Sequence, residues 1–275
     1  MNERLRQKAL HVLRTAMEAE ERWIKVHAAE ALLSLGYPRG AARTFETELA
    51  SKGGEPQYRI GIWRVLAQAA RNDQLREPWI RRILAAFLDT HGPDRLHAAE
   101  TLARLGYRAG GKEAEAFELA ARTGPGPLAA NARWVLANSG RPDSEVRLAE
   151  LLNSDDAGTR ANAAYAIRHL PKLSPAAWKQ LTAAARREPP DEIVRASLLS
   201  AAFVHAPAAD QKAHFKAELL KYARSGTNDA KYELCAVLAK EGRSDDLPLL
   251  GRLLHDNSDV RVGAAYAILR ILKAR

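Results

Sequence analysis

The sequence is poor in the residues on which several common architectures depend. Its 275 residues include one cysteine, Cys235, which excludes an internal disulfide framework and a cluster of thiolate metal ligands. Aromatic residues make up only 6% of the chain, and β-branched residues are also sparse, which disfavours a mainly β fold. No stretch approaches the roughly 18 apolar residues of a membrane-spanning helix, and residues 1–6 lack the apolar segment of a signal peptide. These absences predict a soluble, cytoplasmic protein without a membrane segment.

The composition favours a folded, helical chain. Alanine and leucine are abundant, and hydrophobic residues make up 47% of the sequence, so the chain can bury a core. The formal net charge is +9, but the excess is spread evenly over the two halves of the chain. There is no basic arm or tail, which weakens the case for nucleic-acid binding. A folded chain can still gather positive charge on one face, so that function stays open.

An internal repeat runs through the chain. Residues 25–37 and 95–107 are nearly identical, and so are residues 160–167 and 261–268. When the leading basic residue of each copy is aligned, it forms a series that we call the basic column. The basic column consists of Lys25, Arg59, Arg95, Ala129 (the one exception), Arg160, Arg195, Lys231 and Arg261. Eight units at this spacing fill the sequence, which predicts a single repeat domain over residues 1–275.

Each repeat has the pattern of a helical hairpin. The second helix carries pairs of alanines where a neighbouring backbone must approach closely, as at residues 28–29, 98–99, 163–164 and 264–265. The first helix is amphipathic, as in residues 79–88. Glycine is placed where second helices should stop, at Gly36, Gly106, Gly140 and Gly242. The segment 124–127 falls between the helices of one repeat, so we interpret it as a turn and not as a domain linker.

The repeat pattern combines a basic residue, two small residues and an apolar pair at fixed spacing. It resembles the HEAT-like repeat of the PBS-lyase type found in bacterial helical-repeat proteins, and the resemblance covers essentially the whole chain. It implies an all-α fold, a right-handed α-α superhelix of about eight hairpins. It implies little about function, because such repeats serve scaffolds, lyases, hydroxylases and glycosylases alike.

The basic column has a structural interpretation. In HEAT-like repeats this residue commonly pairs with an acidic residue at the turn between helices, which sets the register of neighbouring units. The expected partners are Asp94 for Arg95, Asp156 for Arg160, Asp191 for Arg195 and Asp259 for Arg261. We favour these ion pairs over a stripe of cations for nucleic acid.

The second helices of such a superhelix line its concave face, where a binding groove is expected. Glu30, Arg64 and Glu100 alternate in sign at equivalent positions, which predicts a ladder of ion pairs between repeats. Trp134 and Tyr165 share that position in the next two repeats, and adjacent helices lie roughly 8–10 Å apart. The predicted groove comprises Arg64, His97, Glu100, Arg104, Asn131, Trp134, Asn162, Tyr165 and His169. Two interpretations of the aromatic pair stay open: a binding hot spot, or packing of each ring onto the next helix.

Catalytic and metal-binding patterns are weak. His27 and Glu30, like His97 and Glu100, stand three residues apart on one helix face. They resemble the ligands of deoxyhypusine hydroxylase, a HEAT-like enzyme, but there the histidine and glutamate are adjacent, and here alanine follows each histidine. The two pairs also lie two repeats apart, too far to share an ion with ligand bonds near 2 Å. With no phosphate loop or nucleophile motif, the sequence predicts a non-catalytic protein without metal or cofactor.

Two functions therefore compete. The favoured one is a binding or scaffold module that recognises a protein or peptide partner through its concave face. The alternative is nucleic-acid binding, because the chain resembles the HEAT-like alkylpurine DNA glycosylases in size and basicity. Those enzymes use concave Trp, Asp and Arg residues; Trp134 fits that pattern, but no inner-face aspartate can be placed beside it. The phycobilin lyases are a more remote resemblance without a recognisable pigment motif.

The end of the last helix is unusually apolar. Ile268, Leu269, Ile271 and Leu272 follow one another closely, and terminal repeats normally carry polar outer faces. We therefore expect this end either to form an interface, for example in a dimer, or to continue into a further segment.

Overall fold

A computed structural model describes residues 2–188 and 192–273, and this part of the chain is helical apart from its turns. It contains sixteen α-helices and no β-strand, which confirms the all-α prediction for the described residues. The helices are α1 Asn2–Ala19, α2 Arg22–Ser34, α3 Ala41–Lys52, α4 Tyr58–Ala69, α5 Asp73–Leu88, α6 Arg95–Arg104, α7 Gly111–Thr123, α8 Gly126–Asn138, α9 Ser144–Glu150, α10 Ala157–His169, α11 Pro175–Arg187, α12 Glu192–His205, α13 Ala209–Ser225, α14 Asn228–Glu241, α15 Leu247–Leu253 and α16 Ser258–Lys273.

The chain divides into two compact units. Unit 1 comprises Met1–Ile83 together with Lys231–Arg275, and unit 2 comprises Leu84–Ala230. Unit 1 is therefore discontinuous in sequence, since both ends of the chain belong to it. That residues 1–275 form one repeat domain remains a prediction.

Consecutive helices pack on one another, and the hairpin contacts that the repeat predicts are among them, although α8 also packs on α9 and α12 on α13. In unit 2 the pairs are α7 with α8, α9 with α10, and α11 with α12, and the second helices α6, α8, α10 and α12 pack side by side in that order. In unit 1, α1 packs on α2, α3 on α4, and α15 on α16, while α2 contacts both α4 and α16. Helix α1 also packs extensively on α16.

Small residues lie where second helices approach each other. Ala98, Ala99, Ala163 and Ala164 are fully buried, as predicted. At the start of α8, a Cβ on Gly126 would come 1.7 Å from the hydroxyl oxygen of Thr159 on α10. Only glycine fits there, so the segment 124–127 acts as a turn whose last residues enter α8.

Glycine ends the second helices in the predicted way. Gly36, Gly106 and Gly140 follow α2, α6 and α8 with φ values of +83°, +70° and +74°. These left-handed conformations let the next amides return to the helix carbonyls; for example, the Tyr37 N–H donates to the Leu32 carbonyl at 2.8 Å.

The basic column forms ion pairs between consecutive hairpins. In unit 2, Arg160 on α10 donates two hydrogen bonds to the Glu188 carboxylate at the end of α11, at 2.9 and 2.7 Å. It also donates to the Ser154 carbonyl at 2.9 Å. Arg195 lies 4.0 Å from Glu218 on α13. In both pairs the basic residue reaches an acidic residue on or just after the first helix of the next hairpin; we call this contact the inter-hairpin ion pair.

Unit 1 repeats the same contact. Lys25 lies 3.0 Å from Glu48 on α3, and Lys231 lies 3.0 Å from Asp256 after α15. The basic column therefore forms ion pairs, but with acidic residues of the next hairpin and not with the aspartates at the turn of its own repeat that the sequence predicted.

The predicted partner was wrong for Arg261, which lies 2.9 Å from Glu20 and not beside Asp259, and it was wrong for Arg160. Asp156, its expected partner, instead caps α10 by accepting hydrogen bonds from the Thr159 N–H at 2.7 Å and from its hydroxyl at 2.6 Å. These hydrogen bonds lower the pKa of the Asp156 carboxyl. A short aspartate just before a helix is placed to cap that helix, whereas the long arginine side chain spans the distance to the next hairpin.

The remaining predicted aspartates have other surroundings. Asp259 lies 3.6 Å from Nδ1 of His27, and Asp94 is buried at the start of α6. Asp191 lies outside the described residues.

The end of α16 is not an open apolar surface. Ile268, Leu269 and Ile271 are buried, because α1 and α2 pack on this helix. In the described structure a hairpin of the same chain covers these residues. That this end forms an interface in a dimer stays a prediction. Cys235 on α14 is fully buried, as predicted, and burial raises the pKa of its thiol.

One inter-hairpin ion pair makes the stability dependent on pH. Burial acts to raise the pKa of Glu48, but a hydrogen bond from the Tyr58 hydroxyl (2.8 Å) and the Lys25 ammonium outweigh it and hold this pKa below its ordinary value. Because this pKa is lower in the folded than in the unfolded state, ionised Glu48 contributes fully to the stability above the unfolded pKa of about 4.3. That contribution is lost as the pH falls through the pKa of Glu48 in the folded state. We therefore expect Glu48→Gln to destabilise the protein at pH 7 and to differ less from the wild type at pH 3, measured by urea unfolding.

Glu46→Gln provides the matched control, because Glu46 is exposed on the same helix. It should leave the unfolding midpoint almost unchanged at both pH values. An equal loss of stability at pH 7 and pH 3 in the Glu48→Gln variant would contradict the assigned ionisation.

Candidate functional site

Among the nine predicted groove residues, Arg64 belongs to unit 1, where it forms a buried ion pair. Arg64 on α4 is 2% exposed, and its Nη2 donates to Oε2 of Glu30 on α2 at 3.0 Å. Its Nε lies 2.9 Å from Oε1 of Glu30 without the alignment of a hydrogen bond. Gln68 donates to the same carboxylate at 3.1 Å, and the Trp23 ring lies 5.7 Å from the guanidinium. This contact confirms the predicted ion pair between Glu30 and Arg64. It also shows that Arg64 is buried between helices and does not line an open groove.

Three rings in unit 2 form the candidate site, and we call them the aromatic cluster. His169 stacks on Trp134 with ring centroids 5.0 Å apart and an interplanar angle of 22°. Tyr165 meets Trp134 edge-on at 5.8 Å and His169 at 4.9 Å. Tyr165 and His169 lie one turn apart on α10, which brings both onto the indole that α8 presents.

The exposure of the three rings differs strongly. Trp134 is only 3% exposed, Tyr165 is half-buried and His169 is exposed. The indole is thus packed between helices, as one of the two sequence interpretations expected, while His169 and Tyr165 form its outer cover. The face that a partner can reach consists of the imidazole and the phenol.

Charged groups frame the aromatic cluster. The Tyr165 hydroxyl on α10 donates to Oε1 of Glu100 on α6 at 3.2 Å, beyond the intervening helix α8. Arg104, one turn after Glu100, places its Nη1 3.6 Å from the same oxygen. A carboxylate, a guanidinium and a phenol therefore meet beside the rings.

Arg168 is a contributor that the sequence analysis missed. It is 6% exposed, and its guanidinium lies 5.1 Å from the Tyr165 ring centroid. Its Nη2 lies 3.3 Å from Nε2 of His169. A guanidinium can only donate, so the imidazole nitrogen is the acceptor side of this contact. A basic residue in the last turn of a helix is common, so its position alone gave no signal.

The other predicted residues are less closely associated with the cluster. Asn162 donates to the Gly158 carbonyl of its own helix at 2.9 Å. Asn131 is 1% exposed, and its Oδ1 has no hydrogen-bond partner among the described residues. His97 is half-buried on α6. The structure therefore brings together Glu100, Arg104, Trp134, Tyr165 and His169.

Metal binding finds no support in the described part of the chain, where no group of three or more His, Cys, Asp or Glu side chains could hold an ion. His27, one of the histidines with a suitable spacing, instead stacks on Tyr232 with ring centroids 5.4 Å apart.

Comparison with protein-family models and with the curated proteins finds no match for this sequence. Its function is therefore argued from the chemistry of its residues. Within residues 2–188 and 192–273, no helix has the length and apolar character needed to cross a bilayer.

Proposed function

We propose that this chain is a HEAT-like α-α superhelix of about eight hairpins and a non-catalytic module that binds a protein or peptide. The aromatic cluster of unit 2 is the proposed site. The fold proposal is supported by the inter-hairpin ion pairs, which recur at the predicted spacing in both units. The observation that carries the function is the exposed His169 stacked on a buried indole beside Tyr165.

The chemistry of the site favours a peptide. Aromatic rings supported from below provide rigid contact area with little loss of side-chain entropy, and such rings are enriched at interface hot spots. Glu100 and Arg104 offer an acceptor and a donor of opposite charge at one edge. A carboxylate next to the rings would repel the phosphates of a nucleic acid, whereas a peptide can present an amide or a basic group to it.

Selection from a random peptide library, followed by calorimetry with the selected peptides, tests this proposal. We expect His169→Ala to weaken binding at least tenfold, about 1.4 kcal/mol, because the partner loses the ring on which it stacks. Tyr165→Phe should weaken it less, since only the hydroxyl that contacts Glu100 is removed.

His214→Ala is the matched control. His214 is also exposed and also contacts an aromatic ring, that of Phe215 on α13, but it lies outside the aromatic cluster. Peptides that bind both alanine variants as tightly as the wild type would place the binding site elsewhere.

Nucleic-acid binding is the second candidate, and it has its own supporting observation. Trp178 on α11 and Phe215 on α13 meet edge-on at 6.1 Å in unit 2, and the exposed Lys179 follows Trp178. Partly exposed rings beside lysines suit stacking of unpaired bases. Fluorescence anisotropy with labelled single-stranded DNA at two salt concentrations distinguishes the candidates, because phosphate contacts give a steep salt dependence.

A further inference from the structure

The last hairpin of the chain makes an inter-hairpin ion pair with the first. Arg261 on α16 donates to Oε1 of Glu20, directly after α1, at 2.9 Å, and the Ser258 hydroxyl donates to the same oxygen at 2.7 Å. Glu20 stands at the carboxyl end of a first helix, as Glu48 and Asp256 do in the other pairs of unit 1. The last hairpin thus makes with the first hairpin the same ion pair that earlier hairpins make with the hairpin that follows them.

Further contacts complete this surface, which we call the first–last interface. Lys8 on α1 lies 2.8 Å from Nε2 of His255, and Lys273 on α16 donates to the Leu35 carbonyl at 3.1 Å. Behind these polar contacts α1 packs on α16, and apolar residues of both helices are buried; they include Leu13, Met17, Ile268 and Ile271. The interface therefore has an apolar centre and a polar rim, as stable interfaces between separate chains do.

The two sides of this interface are far apart in the sequence. Glu20 and Arg261 are separated by 241 positions, so the contact depends on the meeting of two hairpins and not on a short connection between them. A hairpin that carries Arg261 can meet the first hairpin of its own chain or that of another copy. The contacts of the first–last interface can form in both cases.

We propose that the first–last interface is exchangeable and that its alternative occupant is a second copy of this chain. In the exchanged dimer, the last hairpin of each copy packs on the first hairpin of the other. Exchange re-forms the contacts of the first–last interface between two copies, so the balance between monomer and dimer depends on chain entropy, on the connection before the last hairpin and on the protein concentration during folding. This inference goes beyond the proposed function, because the interface lies in unit 1 and the aromatic cluster in unit 2.

Charge reversal provides a test in which monomer and dimer respond differently. E20R places two guanidinium groups against each other, and R261E places two carboxylates against each other. When the two variants are mixed, unfolded in urea and refolded together, unlike charges meet only across the two chains. We expect a heterodimer of twice the 30.2 kDa mass, detected by light scattering and by mass spectrometry with one isotope-labelled variant.

The controls separate exchange from a general effect of charge. The double variant E20R/R261E restores the pair within one chain and should be a monomer. E21R mixed with R261E should give no heterodimer, because Glu21 is the exposed neighbour of Glu20 and E21R keeps its own Glu20–Arg261 pair. A mixture of E20R and R261E that stays monomeric after refolding would overturn the proposal.

A second measurement applies if either single variant fails to refold. The wild type is refolded at low and at high protein concentration and then compared at one final concentration. A dimer fraction that rises with the concentration during refolding supports exchange, and a monomer under both conditions refutes it.

Discussion

Replacing Arg64 by methionine is expected to lower the free energy of unfolding by about 3–5 kcal/mol, because it leaves a buried carboxylate without its cation. Glu30 is 8% exposed, so water cannot replace the lost guanidinium. Hydrogen bonding from Gln68 compensates only in part, since an amide carries no net charge. Urea unfolding followed by circular dichroism measures the change.

Two companion variants show that the effect comes from the pair. The double variant E30L/R64M removes both charges and should recover much of the lost stability, since replacing a buried ion pair with apolar residues is often neutral. R81M removes one partner of the exposed pair between Arg81 and Glu77, whose side chains are 76% and 53% exposed. It should cost no more than about 1 kcal/mol. If E30L/R64M is no more stable than R64M, the two residues are not coupled as described.

Replacing Trp134 by alanine is expected to cost about 3–5 kcal/mol of stability, because a large ring that is 3% exposed leaves a cavity between α8 and α10. His169→Ala should cost much less, since the imidazole is exposed. Thermal and urea unfolding of both variants give the comparison. The difference matters for the binding experiment: a loss of peptide binding in the Trp134 variant can arise from unfolding, whereas a loss in a His169 variant that keeps its unfolding midpoint reports on the binding contact itself.

Trp178→Ala is the control for removal of an indole from unit 2. Trp178 is half-buried, so its replacement should destabilise the protein less than Trp134→Ala does. If Trp134→Ala abolishes peptide binding without lowering the unfolding midpoint, Trp134 contacts the partner directly and the packing assigned to it here is incorrect.

The helical hairpins were predictable because their signals are local. Helix propensity, the spacing of apolar residues and glycine at the helix ends act within a few residues. The fully buried Ala98 and Ala99 and the left-handed Gly106 therefore lie where the sequence placed them. The ion-pair partners of the basic column were harder to predict from the sequence, because the packing of two hairpins determines that Arg160 reaches Glu188.

The contact between the rings of the candidate site was predictable, whereas their exposure and the position of Arg168 beside them were not. Trp134 and Tyr165 share one repeat position on adjacent second helices, which correctly predicted their contact. The same position holds the buried Arg64 and the half-buried Glu100, so the repeat position does not determine whether a side chain reaches solvent. The exposure of a side chain depends on which neighbouring residue covers it. Here His169 covers Trp134 because α10 packs beside α8, which the repeat position alone does not reveal.

The division of unit 1 between the two ends of the chain has a consequence for biosynthesis. Helices α1 to α4 are translated before unit 2, but α15 and α16, which complete their core, are translated after it. At typical translation rates the first helices wait on the order of ten seconds for these partners. Unit 2 is one continuous segment, so its helices emerge one after another within that time, whereas the contact between Glu20 and Arg261 must close a long loop. Unit 1 is thus the part of the nascent chain whose apolar surface stays uncovered longest, and it is the part that a chaperone would meet first.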